Sequence, residues 1–147
     1  MKALVIGAGG VGRAIAGIAS RRNFITELVL ADRQLSRAEQ IVKRLGDPRL
    51  KAAEVNAAEL ENIRELIRAT DPDVVINAVD PRFVPIIFDA ALDAGVHYLD
   101  MATSLSVPDP KQPYRVPGVM LGDYQERKRH EWEAKGKLAL VGMGMDP

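Results

Sequence analysis

The sequence predicts an α/β fold: a doubly wound parallel sheet of about six strands with helices on both faces. Three observations predict it. Short apolar runs recur along the chain without polar alternation, as strands covered on both faces require. Amphipathic helical stripes fall between those runs. A glycine-rich turn joins the first run to the first stripe.

At 147 residues the chain is sized for one domain covering 1–147. Twenty Lys+Arg balance twenty Asp+Glu, which leaves no net charge to grip nucleic acid or an acidic membrane surface. The absence of cysteine excludes disulfides, thiolate metal sites and a cysteine nucleophile. No apolar run approaches the roughly 20 residues of a membrane span. The apolar start, residues 1–7, is too short for a signal peptide. The expectation is a cytoplasmic domain with neither a membrane nor a nucleic acid as partner.

Residues 3–6, 28–31, 74–76 and 138–141 are the clearest strands; residues 50–55 and 97–100 are placed by rhythm. Val11, Ile15 and Ile18 form the stripe of the first helix. Ala38, Ile41, Val42 and Leu45 form the second, with Ser36 and Glu39 spaced as a capping box and Gly46 as a stop. Leu60, Ile63, Leu66 and Ile67 form the third, with Asn56 and Glu59 as another candidate box. Val84, Ile87, Phe88 and Ala91 form the fourth, ended by Gly95. Residues 103–122 break the rhythm and carry four of the nine prolines, as a functional arm, lid or tolerated excursion would. Residues 123–135 then read as one helix with a solvated charged face and an Arg127–Glu131 pair at i, i+4.

The glycine turn is Gly7-Ala8-Gly9-Gly10-Val11-Gly12, a G-x-G-x-x-G between strand and helix. Gly7 turns the chain sharply, Gly9 lets a pyrophosphate approach the backbone, and Gly12 lets the helix pack against the sheet. Exposed N–H groups and the helix dipole favour the phosphates. Asp32, twenty residues after Gly12, is spaced to accept hydrogen bonds from an adenosine ribose. These features mark a Rossmann-type dinucleotide site. A carboxylate there repels a 2′-phosphate and favours NAD over NADP, whereas Arg33 is able to pair with that phosphate. The glycine spacing favours a nicotinamide dinucleotide over the S-adenosylmethionine of a methyltransferase, which also has a glycine loop and an acid here.

Other signals are weaker. Tyr124 and Lys128 match a Tyr-x-x-x-Lys catalytic pair, but the glycine turn is not spaced as in the enzymes that use it; a surface tyrosine is the expectation. Asn77-Ala78-Val79-Asp80-Pro81 leaves the fourth strand at the ligand edge, where Asp80 is either a polar contact or an N-cap. His97 and Asp100 bracket the fifth strand, with His97 read as structural. No histidine and carboxylate spacing indicates a metal. Gly142-Met143-Gly144-Met145-Asp146-Pro147 is a glycine-rich exit at the same edge.

Three stretches resemble the saccharopine dehydrogenase family: residues 2–12, Asp73-Val74-Val75-Ile76-Asn77-Ala78, and Ala94-Gly95-Val96-His97-Tyr98-Leu99-Asp100. The terminal Gly142-Met143-Gly144-Met145-Asp146-Pro147 is similar to that family's Gly-x-Gly-x-Asp-Pro-Gly stretch. The family includes saccharopine reductases, lysine 6-dehydrogenases and carboxynorspermidine dehydrogenases. The resemblance implies hydride transfer between a nicotinamide coenzyme and a C–N bond of an amino-acid-like substrate. It also implies a substrate and dimerisation domain beyond these residues, a homodimer, and little turnover by this chain alone. Asp32 departs from several saccharopine reductases, which have no acid there, and the proline-rich arm matches no pattern of the family. The expected coenzyme site is Gly7, Gly9, Gly10, Val11 and Gly12 on the pyrophosphate, Asp32 and Arg33 on the adenosine ribose, Val55 and Asn56 beside the adenine, and Ala78 and Val79 beneath the nicotinamide ribose. No general acid or base is expected from these residues. The competing reading from another class is a non-catalytic, nucleotide-sensing module of the kind that regulates transport systems.

Overall fold

A computed structural model describes residues 1–144. Six parallel strands form one sheet: β1 (Lys2–Ile6), β2 (Glu27–Asp32), β3 (Leu50–Glu54), β4 (Val74–Asn77), β5 (His97–Asp100) and β6 (Ala139–Leu140). Their order is β3-β2-β1-β4-β5-β6. The order reverses direction between β1 and β4, so the loops leaving those two strands diverge and open a crevice at the carboxyl edge. The crossovers are α1 (Gly10–Ala19), α2 (Leu35–Leu45), α3 (Leu60–Thr70) and α4 (Val84–Ala94), the last preceded by a 3₁₀ turn at Pro81–Phe83. The short helices α5 (Asp123–Arg127) and α6 (Arg129–Ala134) precede β6.

The central strands β1, β2 and β4 are apolar along most of their length because each face of the sheet has its own core. Successive side chains of a strand point to opposite faces. Leu4 and Ile6 of β1 therefore join Val29, Val75 and Tyr98 under α3, α4 and α6. Ala3 and Val5 join Leu28, Leu30 and Leu50 under α1 and α2.

Several local expectations are corrected by packing. In α1 the buried residues are Gly12, Ala16 and Ala19, while Val11 and Ile18 are about half exposed. The helix lies so close to the sheet that only small side chains fit beneath it. Neither predicted capping box forms. Helix α2 starts after Gln34, whose backbone N–H is taken by Asp32 Oδ1 at 2.9 Å, and Ser36 lies inside the helix. Asn56 makes a local turn instead: its Oδ1 accepts from Ala58 N at 3.2 Å, its Nδ2 bonds Glu59 Oε1 at 2.6 Å, and α3 begins after Glu59. The helix expected over 123–135 is broken at Lys128, whose Nζ reaches across to Asp89 Oδ1 at 2.7 Å. The break puts Arg127 on Asp123 at 3.6 Å rather than on Glu131. Gly46 and Gly95 end α2 and α4 in the left-handed conformation, as expected. Residues 103–122 form a folded-back arm, closed by an antiparallel bridge between Val107 and Val119.

Arg49 staples the far edge of the sheet. Its guanidinium donates to the carbonyls of Ser20 (2.6 Å), Arg22 (2.9 Å) and Ile25 (2.8 Å) and to both carboxylate oxygens of Asp47. The pairing holds Asp47 below the usual carboxylate range, chiefly through the side-chain hydrogen bond from Arg49. A lysine cannot occupy this forked set of acceptors. Arg49→Lys is expected to lower the melting temperature by a few degrees at neutral pH. Because the folded state depresses the Asp47 pKa, that difference is present above the ordinary carboxylate range. It narrows as pH falls through the depressed value, which thermal melts at several pH values check.

Candidate coenzyme site

The glycine turn crosses the carboxyl ends of β1, β2 and β4. Gly7 continues the sheet ladder by donating to Ala31 O at 2.7 Å, and Ala78 N donates to Ile6 O at 2.8 Å. Gly7 has φ +112°, and a Cβ on it would stand 2.6 Å from Ala78 O. A Cβ on Gly12 would stand 1.7 Å from Gly7 O. These two glycines therefore let the turn, α1 and the β4 exit close on one another. Gly9 and Gly10 differ: a Cβ on either meets no atom within 4 Å. They face open space at the start of α1, where the N-cap glycine offers no side chain to the first-turn N–H groups and no acidic residue stands. That is the chemistry of an anion cradle.

Asp32 ends β2 with its carboxylate turned to the glycine turn. Its Oδ2 accepts from Ala8 N at 2.8 Å and its Oδ1 from Gln34 N, and its side chain is 12% exposed. Arg37 lies 3.8 Å away. The carboxylate thus fixes the turn as well as facing the crevice, a structural task that the spacing argument alone does not reveal.

Two cavities flank the turn. The first, of about 360 Å³, is lined by Gly7, Asp32, Arg33, Val55, Asn56 and Val79, all expected from the sequence. It is also lined by Gln34, Arg37, Ala57, Arg82 and Phe83, which were not. Arg82 binds Asp80 at 2.9 Å and lies 5.9 Å from the Phe83 ring centre. Asp80 is an N-cap, accepting from Arg82 N at 2.9 Å, and the Arg82 side-chain hydrogen bond holds it below the usual carboxylate range. The second cavity, of about 210 Å³, is lined by Ala78 and Val79 as expected, together with Asn77, Val84, Asp100, Met101 and Ala102 and with Val11, which the sequence grouped with the pyrophosphate glycines. Gly9, Gly10 and Gly12 form the turn between them and line neither.

Beneath the second cavity lies a buried polar chain. Asn77 Nδ2 donates to the Tyr98 hydroxyl at 3.0 Å, which donates to Asp100 Oδ2 at 2.8 Å. Burial, then the Asp100 charge, push the Tyr98 phenol well above its ordinary pKa, so it stays protonated and serves as the donor. Burial also raises the Asp100 pKa, against the opposing pull of its hydrogen bonds to Gly142, Tyr98 and Gln125. The sequence marks Asp100 as the end of the fifth strand but does not show its partners. The available signal was parity: Asn77 and Asp100 each lie two residues beyond a core residue of the same strand, Val75 and Tyr98.

The other candidates sit elsewhere. His97, at the opposite end of β5, accepts from Leu138 N at 3.0 Å and is structural. Tyr124 and Lys128 both bind Asp89 of α4, at 2.5 and 2.7 Å, and line neither cavity, which leaves the pair as packing. Gly142 and Met143 follow β6 at the carboxyl edge. Residues 145–147 of the predicted glycine-rich exit lie outside the described residues. Among the described residues no helix is long and apolar enough to cross a membrane.

Comparison with known proteins bears on this arrangement. The family model described as the saccharopine dehydrogenase NADP binding domain matches residues 3–140. The carboxyaminopropylagmatine dehydrogenase of Synechocystis sp. is 31% identical over 148 residues, covering 99% of this chain and 35% of that protein. The carboxynorspermidine synthase of Vibrio cholerae is 33% identical over 156 residues, covering 100% of this chain and 37% of that protein. The chain therefore spans little more than a third of these curated relatives. The structure of an apo saccharopine dehydrogenase (L-Glu forming) from Saccharomyces cerevisiae superposes with a TM-score of 0.73 at 19% identity, over 99% of this chain and 28% of that one, and shows the same fold.

Proposed function

The chain belongs to the saccharopine dehydrogenase NADP binding domain family, and from that membership we propose that it is the coenzyme-binding part of an oxidoreductase acting at a C–N bond of an amino acid or an amino-acid-derived secondary amine. When bound, the nicotinamide ring exchanges the hydride; the chain's own residues position it. The N–H groups at the start of α1, with Gly9 and Gly10 open before them, hold the pyrophosphate. Gly7 and Gly12 give that turn its shape. Val55 and Asn56 flank the adenine, with Arg33 at its ribose. Ala78 and Val79 pack against the nicotinamide ribose, and Val11, which lines the same cavity, joins them there rather than on the pyrophosphate alone. The names of the two curated relatives, a dehydrogenase and a synthase of carboxylated polyamines, support the substrate class. They lend no support to a non-catalytic sensor.

The observation that carries the coenzyme reading is Asp32, held by Ala8 N and Gln34 N in the wall of the first cavity. A ribose diol donates to a carboxylate so placed, whereas a 2′-phosphate is repelled by it. Arg37 and Arg82 in the same cavity already face the carboxylates of Asp32 and Asp80. NAD is therefore the preferred form. Calorimetric titration should show NADH binding about tenfold more tightly than NADPH, the size of one lost charge-assisted hydrogen bond. Asp32→Ala should weaken NADH and erase the preference. Tighter binding of NADPH in the wild type would move recognition to Arg33 and overturn the role given to Asp32. S-adenosylmethionine, titrated in parallel, should not bind. Substrate recognition and homodimerisation are assigned to a further domain of the type the longer relatives have room for, and the setting to the cytoplasm. On that reading this chain alone binds coenzyme with little turnover.

A further inference from the structure

Asp100 ends β5 on the face covered by α3, α4 and α6 and is 1% exposed. Its register partner across the sheet is Asn77, 2% exposed. Among the described residues Asp100 has no cationic partner within ion-pair distance. A carboxylate so buried depends on neutral donors. Three converge on it from different segments: the Tyr98 hydroxyl at 2.8 Å and Gln125 Nε2 at 2.7 Å on Oδ2, and Gly142 N at 2.7 Å on Oδ1. Its own carbonyl accepts from Met143 N at 2.9 Å.

Each donor passes the constraint on. Tyr98 holds Asn77, whose Oδ1 accepts from Val79 N at 3.2 Å and so fixes the exit from β4. Gln125 Oε1 accepts from Ser104 N at 2.8 Å, which anchors the start of the arm. One carboxylate thereby ties together the β4 exit, the arm, α5 and the loop after β6. The β4 exit and Asp100 itself line the second cavity, and the first cavity shares only Val79 with it.

Resting on the coenzyme reading above, we propose that Asp100 is a positioning residue for the nicotinamide half of the coenzyme. It acts through Tyr98 and Asn77 on the Ala78–Val79 turn, and through Gly142 on the loop beside it. All three groups that meet the carboxylate are donors. Asparagine, nearly identical in shape, sets an NH₂ against at least one of them, so Asp100→Asn changes the hydrogen-bond pattern while leaving volume intact.

The test separates the two halves of the coenzyme. Calorimetry with NADH probes the whole site, and ADP probes the adenosine and pyrophosphate half alone. Asp100→Asn is expected to weaken NADH by about tenfold and to leave ADP within about twofold of wild type. The fluorescence enhancement of bound NADH should fall with it, since that signal reports the nicotinamide environment. Tyr98→Phe keeps the carboxylate itself and removes one of its three donors and the link to Asn77, and should weaken NADH in the same sense by about threefold. It decides the matter if Asp100→Asn fails to fold by circular dichroism. Equal losses for NADH and ADP in the folded variants would make the network a general scaffold and overturn the proposal, as would no loss for either. A wild-type chain that bound neither ligand would overturn the coenzyme reading, and this proposal with it.

Discussion

Gly12→Ala is expected to reduce coenzyme affinity by at least about 100-fold and to destabilise the fold, while Gly17→Ala on the same helix stabilises it. Intrinsic propensity favours both changes, by about 1 kcal/mol each, because alanine restricts the unfolded chain and suits a helix. The two positions differ in what the new methyl group meets. At Gly17 nothing lies within 4 Å. At Gly12 the Cβ would stand 1.7 Å from Gly7 O, a separation no atom pair sustains. Gly7 has no room to retreat, since a Cβ there would itself stand 2.6 Å from Ala78 O. The start of α1 must therefore move off the turn. Overpacking of this severity costs about 3 kcal/mol, which outweighs the propensity gain. The first-turn N–H groups move with the helix start, and each charge-assisted hydrogen bond lost to the pyrophosphate weakens binding about tenfold, so two lost bonds give about 100-fold. Thermal melts and NADH titration of the two variants side by side check the opposite signs. Equal behaviour of the two would mean that α1 does not pack on the turn as described.

Phe88→Ala should cost about 3–5 kcal/mol and lower the melting temperature by roughly 10 °C. Phe88 is 1% exposed at the centre of an aromatic cluster. Its ring meets Tyr98 edge-on at 5.1 Å and Trp132 at 5.0 Å, with Tyr124 at 6.5 Å. These rings join α4, β5, α5 and α6, so the cavity left behind is framed by separate elements that cannot all collapse into it. Urea denaturation should show a lower midpoint with an unchanged slope. Phe88→Leu should recover much of the loss. A small effect of Phe88→Ala would mean that α5 and α6 contribute little to the core.

The elements that the sequence displayed most clearly are those whose cause is local. Three strands are legible because a strand buried on both faces must be apolar along its length, and residues 3–6 and 28–31 show it without interruption; the run at 138–141 pairs only over Ala139–Leu140 at the sheet edge, where Leu138, Leu140 and Val141 stay exposed. Gly46 and Gly95 mark helix ends because the left-handed conformation favours glycine wherever it occurs. The spacing from Gly12 to Asp32 is legible because one helix and one strand of ordinary length separate them.

Local patterns misled where packing distance or a competing side chain decided the outcome. The stripe of Val11, Ile15 and Ile18 has the right period, yet the buried face of α1 is Gly12, Ala16 and Ala19. Periodicity reports which residues share a face, but not how near the sheet lies. Ser36 and Asn56 have the spacing of capping residues, but Asp32 takes the backbone N–H before α2, and Asn56 closes a turn of its own.

The sequence by itself determined the chain order of the strands and of the first four helices, the glycine turn with its open edge, and the acid that faces it. Each depends on residues within about one supersecondary unit of one another. Only the tertiary structure decided that Asp32 also clamps the turn through Ala8, that Arg37 and Arg82 enter the first cavity, and that Asn77, Tyr98, Gln125 and Gly142 converge on Asp100. Those groups meet because the register of β4 against β5 sets Asn77 opposite Asp100 and because α5 and the loop after β6 fold back over that edge. Hydrogen bonds between residues 21 to 42 positions apart are fixed by how strands pair and helices cross, and no local pattern of residue types encodes them.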